Sequence, residues 1–145
     1  MVAELGCGPD HTAVELANWV GEAGHVHALD INERFLELAR ANAVPGGVAV
    51  RISTHLCDGG QLPLATESLD CLATRNALIY IEEPAQTIEE CRRVLKAGGV
   101  FPATEGDWPM MLVEPLAVSQ WLEVITAAGD GCRTPDIGRR LYGLP

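Results

Sequence analysis

The stretch Val2-Ala3-Glu4-Leu5-Gly6-Cys7-Gly8-Pro9-Asp10 lies at the start of the chain and decides its fold. A short apolar run ends at two glycines, Gly6 and Gly8, and from His11 onward apolar residues recur at helical spacing. Glycines between a strand and a helix let a ligand approach the backbone closely. The same pattern also fits a tight turn that binds nothing, so the stretch by itself predicts a strand, a turn and a helix.

Outward from this stretch, apolar runs alternate with amphipathic segments. The runs predicted as strands are residues 2–5, 25–30, 47–53, 69–74 and 100–104. The segments that follow them have helical spacing, with Asn32 as a candidate N-cap, Pro84 in a first helical turn and Gly98-Gly99 at a helix end. This alternation predicts a mostly parallel sheet covered by helices on both faces, with ligands at the carboxyl ends of the strands.

Length, charge and cysteine usage exclude several classes of protein. The 145 residues fit one domain, and their formal charge of -10 would repel a nucleic-acid backbone. No apolar run approaches the roughly 20 residues of a membrane span, so we expect a cytosolic protein with neither nucleic acid nor membrane as partner. The five cysteines contain no Cys-x-x-Cys pair, which indicates reduced thiols rather than a disulfide framework or a zinc site.

Two further carboxylates stand at the ends of predicted strands: Asp30 ends the second, and Asp58 follows the third. Asp30 stands 22 residues after Gly8, close to the roughly 20 expected of an acid that accepts hydrogen bonds from ribose hydroxyls. Its alternative role is the N-cap of the next helix. Asp58 follows the third strand, where its carboxylate could accept a hydrogen bond from an exocyclic amine. An Asp-Gly pair is also common for purely local reasons in turns.

Several motifs in the same order as in a known family carry a resemblance. They are Glu4-Leu5-Gly6-Cys7-Gly8-Pro9, Ala28-Leu29-Asp30-Ile31, Asp58-Gly59-Gly60-Gln61-Leu62-Pro63 followed by Ser68-Leu69-Asp70, Arg75-Asn76-Ala77-Leu78, and Arg92-Arg93-Val94-Leu95-Lys96-Ala97-Gly98-Gly99. Together they resemble class I S-adenosylmethionine-dependent methyltransferases, in the branch of the ubiquinone and menaquinone biosynthesis enzymes. The resemblance covers residues 2 to about 104, nearly the whole Rossmann-like part.

The resemblance implies a fold, a cofactor and a set of binding residues. The fold is a Rossmann-like three-layer α/β/α sandwich with about five strands in the order 3-2-1-4-5. The chain forms one domain, residues 1–145, which has a core of residues 2–104 and a C-terminal helical segment of residues 113–145. The cofactor is S-adenosylmethionine. The residues implied to bind it are Glu4, Gly6, Cys7 and Gly8 at its amino acid end, Asp30 at the ribose, Ile31, Asp58 and Gly59 at the adenine, and Arg75 and Asn76 near the sulfonium.

The chain also departs from the family pattern. Asp10 stands where a third glycine is common, and we expect it to cap the first helix. Ile79 and Tyr80 replace two histidines of the quinone enzymes, so the acceptor does not carry over. The N-terminal helical segment and final hairpin of the family are missing, as if the core were clipped at both ends. The fifth strand would then be an open edge through which a homodimer could form.

The reaction implied is in-line methyl transfer to a small-molecule acceptor, for which the protein mainly holds donor and acceptor together. His11, Tyr80 and Glu105 are candidate bases, with helix surface, half-buried core and solvated strand end as their respective alternatives. Trp108 is a candidate for the acceptor pocket or for packing on the domain. His25, His27 and His55 lack metal spacing, so no metal is expected. The alternative functions are an NAD(P)-dependent oxidoreductase and a non-catalytic Rossmann-like remnant or interaction module.

Overall fold

The computed structural model of the chain describes residues 1–9, 11–111, 114–128 and 131–144. Its strands are β1 (Val2–Leu5), β2 (Val26–Asp30), β3 (Ile52–Leu56), β4 (Leu69–Arg75), β5 (Leu95–Val100) and β6 (Ala103–Thr104). Its α-helices are α1 (Thr12–Trp19), α2 (Glu33–Ala43), α3 (Pro84–Val94), α4 (Val118–Ala128) and α5 (Ile137–Arg140). Short 3₁₀ turns follow α2 and β4, precede α4 and follow α5.

The strands form one parallel sheet in the order β3-β2-β1-β4-β5, with β6 also paired to β4. This order confirms the predicted Rossmann-like topology. In the central register, Leu5 of β1 is aligned with Leu29 of β2 and with Thr74 of β4. The carboxyl ends of the neighbouring strands therefore lie at the same edge of the sheet.

Apolar side chains fill both sides of the sheet, which gives the three layers. Val26 and Ala28 of β2 pack in one cluster with Ala17 of α1 and Leu36 of α2. On the opposite face lies a second cluster, whose buried members include Ala3, Leu5, Leu29, Leu69, Leu72, Leu78, Cys91 and Val94. Within the part of the chain that the structure describes, no helix has the length and apolar character needed to cross a membrane.

The predicted third strand, residues 47–53, is wrong at its start. Residues Ala49–Arg51 form a 3₁₀ turn, and β3 begins only at Ile52. Val48 is buried under α2, where its amide donates to the carbonyl of Ala43, whereas Val50 is 88% exposed. In a strand Val48 and Val50 would point to the same face, as the alternation of residues 47–53 predicted, whereas the tight turn places one inward and the other outward.

The predicted fifth strand, residues 100–104, is also wrong, as is the helix end at Gly98-Gly99. Helix α3 ends at Val94 and β5 begins at once, with Leu95 aligned to Leu69 and Val100 to Cys71. The extra residues on β5 form a bulge in which Gly98 has a φ of +80°, a conformation that favours glycine. The strand then breaks before β6, so the glycines serve the bulge and not a helix end.

A histidine cluster joins β2 to β3. Nδ1 of His27 lies 2.9 Å from Nε2 of His55, and Nε2 of His25 lies 2.8 Å from the Ser53 hydroxyl. Burial, and then the charges of His55 and His25, lower the pKa of His27 from 6.5 to about 4. Burial also lowers the pKa of His55. Burial therefore favours the neutral imidazoles of His27 and His55 in the folded protein.

We expect the chain to lose stability as the pH falls from about 6.5 to about 4. In that window the unfolded state takes up a proton at His27 that the folded state resists, so acid favours unfolding. The variant His27→Gln should lose several degrees less in Tm between pH 7 and pH 5 than the parent, as measured by circular dichroism. Replacing the exposed His11 by Gln is the control and should leave the difference unchanged. An equal change in Tm between pH 7 and pH 5 in His27→Gln and the parent would contradict the role given to His27.

Candidate functional site

The loop between β1 and α1 is held at the carboxyl edge of the sheet. The amides of Gly6 and Cys7 both donate to the carbonyl of Leu29 at the end of β2, at 2.8 and 3.0 Å. Gly6 and Gly8 have φ values of +72° and +57°, which other residues adopt only with strain. We call residues 6–8 the glycine loop. Its two glycines are required by its backbone conformation.

Asp30 ties the glycine loop to the end of β2. Its Oδ2 accepts from the amide of Gly8 at 2.9 Å, and its Oδ1 accepts from the amide of Asn32 at 2.9 Å. The side chain is 8% exposed. The alternative in which Asp30 caps α2 is wrong, because the N-cap is Asn32, whose side chain accepts from the amide of Arg34. Two backbone amides thus fix the Asp30 carboxylate at the carboxyl edge of the sheet.

Two cavities meet at the glycine loop. The smaller, of about 390 Å³, is lined by Glu4, Gly6, Cys7, Gly8, Arg75 and Asn76. The larger, of about 440 Å³, is lined by Leu5, Gly6, Gly8, Asp30, Ile31, Asn32, Phe35, Cys57, Asp58, Asn76, Ala77, Tyr80 and Ile81. Gly6, Gly8 and Asn76 belong to both, so the two form one continuous cleft.

The cleft contains all the residues implied to bind the cofactor except one. That residue is Gly59, which is buried with a φ of +88° and lines neither cavity. A Cβ at this position would lie 3.0 Å from Cδ1 of Ile81, which does line the larger cavity. Gly59 therefore lies behind the cleft, and a side chain there would press on its wall.

Asp58 lies at the cleft and also makes the local contact typical of turns. Its Oδ1 accepts from the amide of Gly60 at 2.9 Å, and the side chain is exposed at the rim of the larger cavity. Asp58 thus makes the local turn contact and lines the larger cavity as well.

The Cys7 thiol stays protonated. Burial, and then the negative charges of Asp30 and Glu4, raise the pKa of Cys7 to about 12. A thiol in this state is neither a nucleophile nor a metal ligand at neutral pH. Cys7 therefore contributes its backbone and its bulk to the cleft.

Of the three candidate bases, Tyr80 lies in the cleft, where it lines the larger cavity and is 58% exposed. His11 is the exposed N-cap residue of α1, without a side-chain capping bond, and lines neither cavity. The helix cap expected of Asp10 lies outside the described residues. Trp108 packs against the core cluster that contains Leu72. This placement agrees with the second of its two predicted roles, packing on the domain.

Glu105 is buried deeper than a solvated strand end. Its Oε1 accepts from the amides of Ala77 and Leu78, at 3.0 and 2.9 Å. Burial raises the pKa of this carboxyl, against the lowering effect of those amides. Glu105 lines neither cavity and instead binds the backbone of a cleft wall from behind.

Sequence reasoning missed several cleft residues. Phe35, Ala77 and Ile81 line the larger cavity, and none of them was among the residues implied to bind the cofactor. Asn76 has a φ of +52°, a strained conformation that asparagine tolerates better than most residues. Strained backbone of this kind is concentrated at functional sites, and Asn76 was already among the residues implied to bind the cofactor.

The lining of the cleft differs between its two cavities. The larger cavity offers apolar walls at Ile31 and Phe35 with the carboxylates of Asp30 and Asp58 at its rim, and the smaller is lined by charged groups and backbone. Within the described ranges, no group of three or more His, Cys, Asp or Glu side chains could hold a metal ion.

Comparison with known proteins identifies the family. A family profile described as "Methyltransferase domain" matches residues 3–102. The ubiquinone/menaquinone biosynthesis C-methyltransferase of Yersinia enterocolitica is 29% identical over 116 residues, which cover 80% of this chain and 45% of that protein. The chain spans between 18% and 45% of the length of the curated relatives it matches.

Solved structures share the fold. A S-adenosylmethionine-dependent methyltransferase from Aquifex aeolicus superposes with a TM-score of 0.70 at 21% identity, over 90% of this chain and 70% of that one. The [4+2]-cyclase SpnF superposes with a TM-score of 0.67 at 26% identity, over 88% of this chain and 50% of that one. The second name shows that the fold also carries chemistry other than methyl transfer.

Proposed function

The chain belongs to the methyltransferase domain family, and from this premise we propose that its cleft binds S-adenosylmethionine for methyl transfer to a small-molecule acceptor. One observation carries the proposal: Asp30 is fixed by the amides of Gly8 and Asn32 at the junction of the glycine loop and the larger cavity. An acid held there is placed to accept hydrogen bonds from ribose hydroxyls.

The larger cavity would hold the adenosine. Each oxygen of Asp30 already accepts one backbone amide and has a further lone pair for a hydroxyl donor. Ile31 and Phe35 supply apolar surface for the adenine, and Asp58 at the rim would accept from its exocyclic amine.

The smaller cavity would hold the amino acid end. The amides of Gly6, Cys7 and Gly8 already donate to Leu29 and Asp30, so the loop offers a ligand its carbonyl oxygens. Carbonyl oxygens and the buried carboxylate of Glu4 suit an ammonium group. Arg75 lines the same cavity, and its guanidinium, which also donates to the Thr12 hydroxyl, would suit the carboxylate better than the place near the sulfonium that the resemblance implies. These roles assign both charges of the amino acid end.

S-adenosylmethionine supplies a methyl group already activated by the sulfonium. The chain's contribution is then to hold donor and acceptor in reach and to exclude water. An acceptor that must lose a proton needs a nearby base. We assign that role to the Tyr80 hydroxyl, because Tyr80 is the base candidate that lines the cleft.

The homodimer through the fifth strand stays a prediction. The edge now consists of β5, whose bulge at Gly98 and exposed Lys96 are features that blunt pairing with a further strand. Sedimentation velocity decides between the 15.5 kDa monomer and twice that mass.

Calorimetric titration with S-adenosylhomocysteine and with NAD⁺ tests the proposed function. We expect one molecule of S-adenosylhomocysteine to bind per chain at micromolar concentration and NAD⁺ to give no heat of binding. Tighter binding of NAD⁺ would indicate the oxidoreductase. Absence of binding by either ligand at millimolar concentration would indicate the non-catalytic remnant.

A further inference from the structure

One wall of the cleft is a short segment with a strained start. Residues 76–81, which we call the wall segment, contribute Asn76, Ala77, Tyr80 and Ile81 to the larger cavity. Asn76 has a φ of +52°, which persists only where the surroundings hold the backbone in place. The wall also lies against the glycine loop, because a Cβ on Gly6 would come within 2.3 Å of the Ala77 Cβ. A small shift of the wall would therefore change the cleft.

The Glu105 side chain accepts hydrogen bonds from backbone amides of the wall segment. Its Oε1 accepts from Ala77 and Leu78, and the preceding residue, Thr104, accepts from the amide of Asn76 at 2.9 Å. The other oxygen, Oε2, is buried and makes no hydrogen bond within the described residues. Keeping a half-satisfied carboxylate buried is costly, so the bonds to the wall are the contacts that favour this placement.

The C-terminal segment donates hydrogen bonds to backbone carbonyls of the wall segment. The Thr134 hydroxyl donates to the carbonyl of Leu78 at 2.9 Å, and the amides of Arg133 and Thr134 donate to the carbonyl of Ile79 at 2.9 and 3.0 Å. Thr134 is 8% exposed and stands 56 residues after Leu78. Its hydroxyl lies outside the motifs that carry the family resemblance.

We infer that Glu105 and Thr134 are positioning residues of the cofactor cleft, which they shape by binding the amides and the carbonyls of the wall segment. The inference rests on the proposed function, since it concerns how the cleft is kept ready for S-adenosylmethionine. It assigns Glu105 a role that requires an accepting oxygen and no proton transfer. It also makes the C-terminal segment part of the binding site through the backbone that it holds.

Paired variants test the inference by calorimetry with S-adenosylhomocysteine. Thr134→Val removes the hydroxyl at nearly constant volume and should raise Kd about five- to tenfold, whereas Thr134→Ser keeps the donor and should stay within about twofold of the parent. Glu105→Ala should raise Kd about tenfold, whereas Glu105→Gln keeps an accepting oxygen and should stay within about threefold.

Two controls separate positioning from general destabilisation. Thr126→Val removes a hydroxyl that donates to the Leu122 carbonyl within α4, outside the cleft, and should leave Kd unchanged. Val48→Ala leaves a cavity in the core cluster between the sheet and helices α1 and α2, and it should lower Tm without raising Kd. If Thr134→Val and Glu105→Ala lower Tm but bind like the parent, the positioning role is wrong.

Amide hydrogen exchange provides a readout that needs no ligand. Both Thr134→Val and Glu105→Ala should speed exchange at Ala77 and Leu78 at least tenfold, with little change in α1 or α2. If the parent chain does not bind S-adenosylhomocysteine, the proposed function fails, and exchange still shows whether the two residues hold the wall. Unchanged exchange at Ala77 and Leu78 would overturn the inference.

Discussion

Replacing Asp30 with asparagine is expected to weaken the binding of S-adenosylhomocysteine about a hundredfold. The amide group of asparagine accepts hydrogen bonds at one position where the carboxylate accepts at two. It therefore loses the anchor to the amide of either Gly8 or Asn32, the ribose acceptor on that same side and the negative charge. A hydrogen bond to a charged group contributes about 1.5–3 kcal/mol, and about 2.7 kcal/mol corresponds to this change in Kd. Isothermal titration calorimetry measures it.

A matched acid outside the cleft serves as control for Asp30. Asp70 is exposed near the start of β4 and pairs with Lys96, so Asp70→Asn removes the same charge from the chain away from both cavities. Its Kd should equal that of the parent. A Kd for Asp30→Asn within about threefold of the parent would show that the carboxylate takes no part in binding.

Gly6→Ala is expected to lower the free energy of unfolding by roughly 2–5 kcal/mol and to abolish binding. A φ of +72° costs an alanine about 1–2 kcal/mol. The new methyl group would also lie 2.3 Å from the Ala77 Cβ, and relieving such an overlap costs about 1–3 kcal/mol. The overlap forces the glycine loop and the wall segment apart. Urea denaturation gives the stability, and calorimetry gives the binding.

Gly47→Ala separates the strain of the backbone from the overlap. Gly47 has a φ of +68°, and its Cβ would meet nothing within 4 Å. This variant should lose only about 1–2 kcal/mol and should bind S-adenosylhomocysteine like the parent. Equal losses of stability in Gly6→Ala and Gly47→Ala would show that the glycine loop and the wall segment do not pack as described.

The gathering of Gly6, Asp30 and Asn76 at one place could be predicted from the sequence. Gly6 and Asn76 follow runs that form strands and Asp30 ends one, and in a parallel sheet the carboxyl ends of neighbouring strands lie at the same edge. The N-cap at Asn32 depends on an equally local rule, whereas the strand order was implied by the family resemblance, and both are confirmed.

The elements that sequence reasoning got wrong depend on contacts between distant parts of the chain. The burial of Val48 under α2 and the bulge at Gly98 arise from packing and register, which periodicity does not report. The same is true of Thr134, whose hydroxyl meets a carbonyl 56 residues away. A lone threonine near the C-terminus carries no pattern that would indicate such a contact.

A crystal structure of the chain with S-adenosylhomocysteine tests the central claim most directly. We expect its ribose hydroxyls within about 3.2 Å of the Asp30 carboxylate, its adenine in the larger cavity near Ile31, and its amino acid end beside Glu4 and the glycine loop. A nucleoside bound elsewhere on the chain, or a cleft without ligand at saturating concentration, would contradict the account.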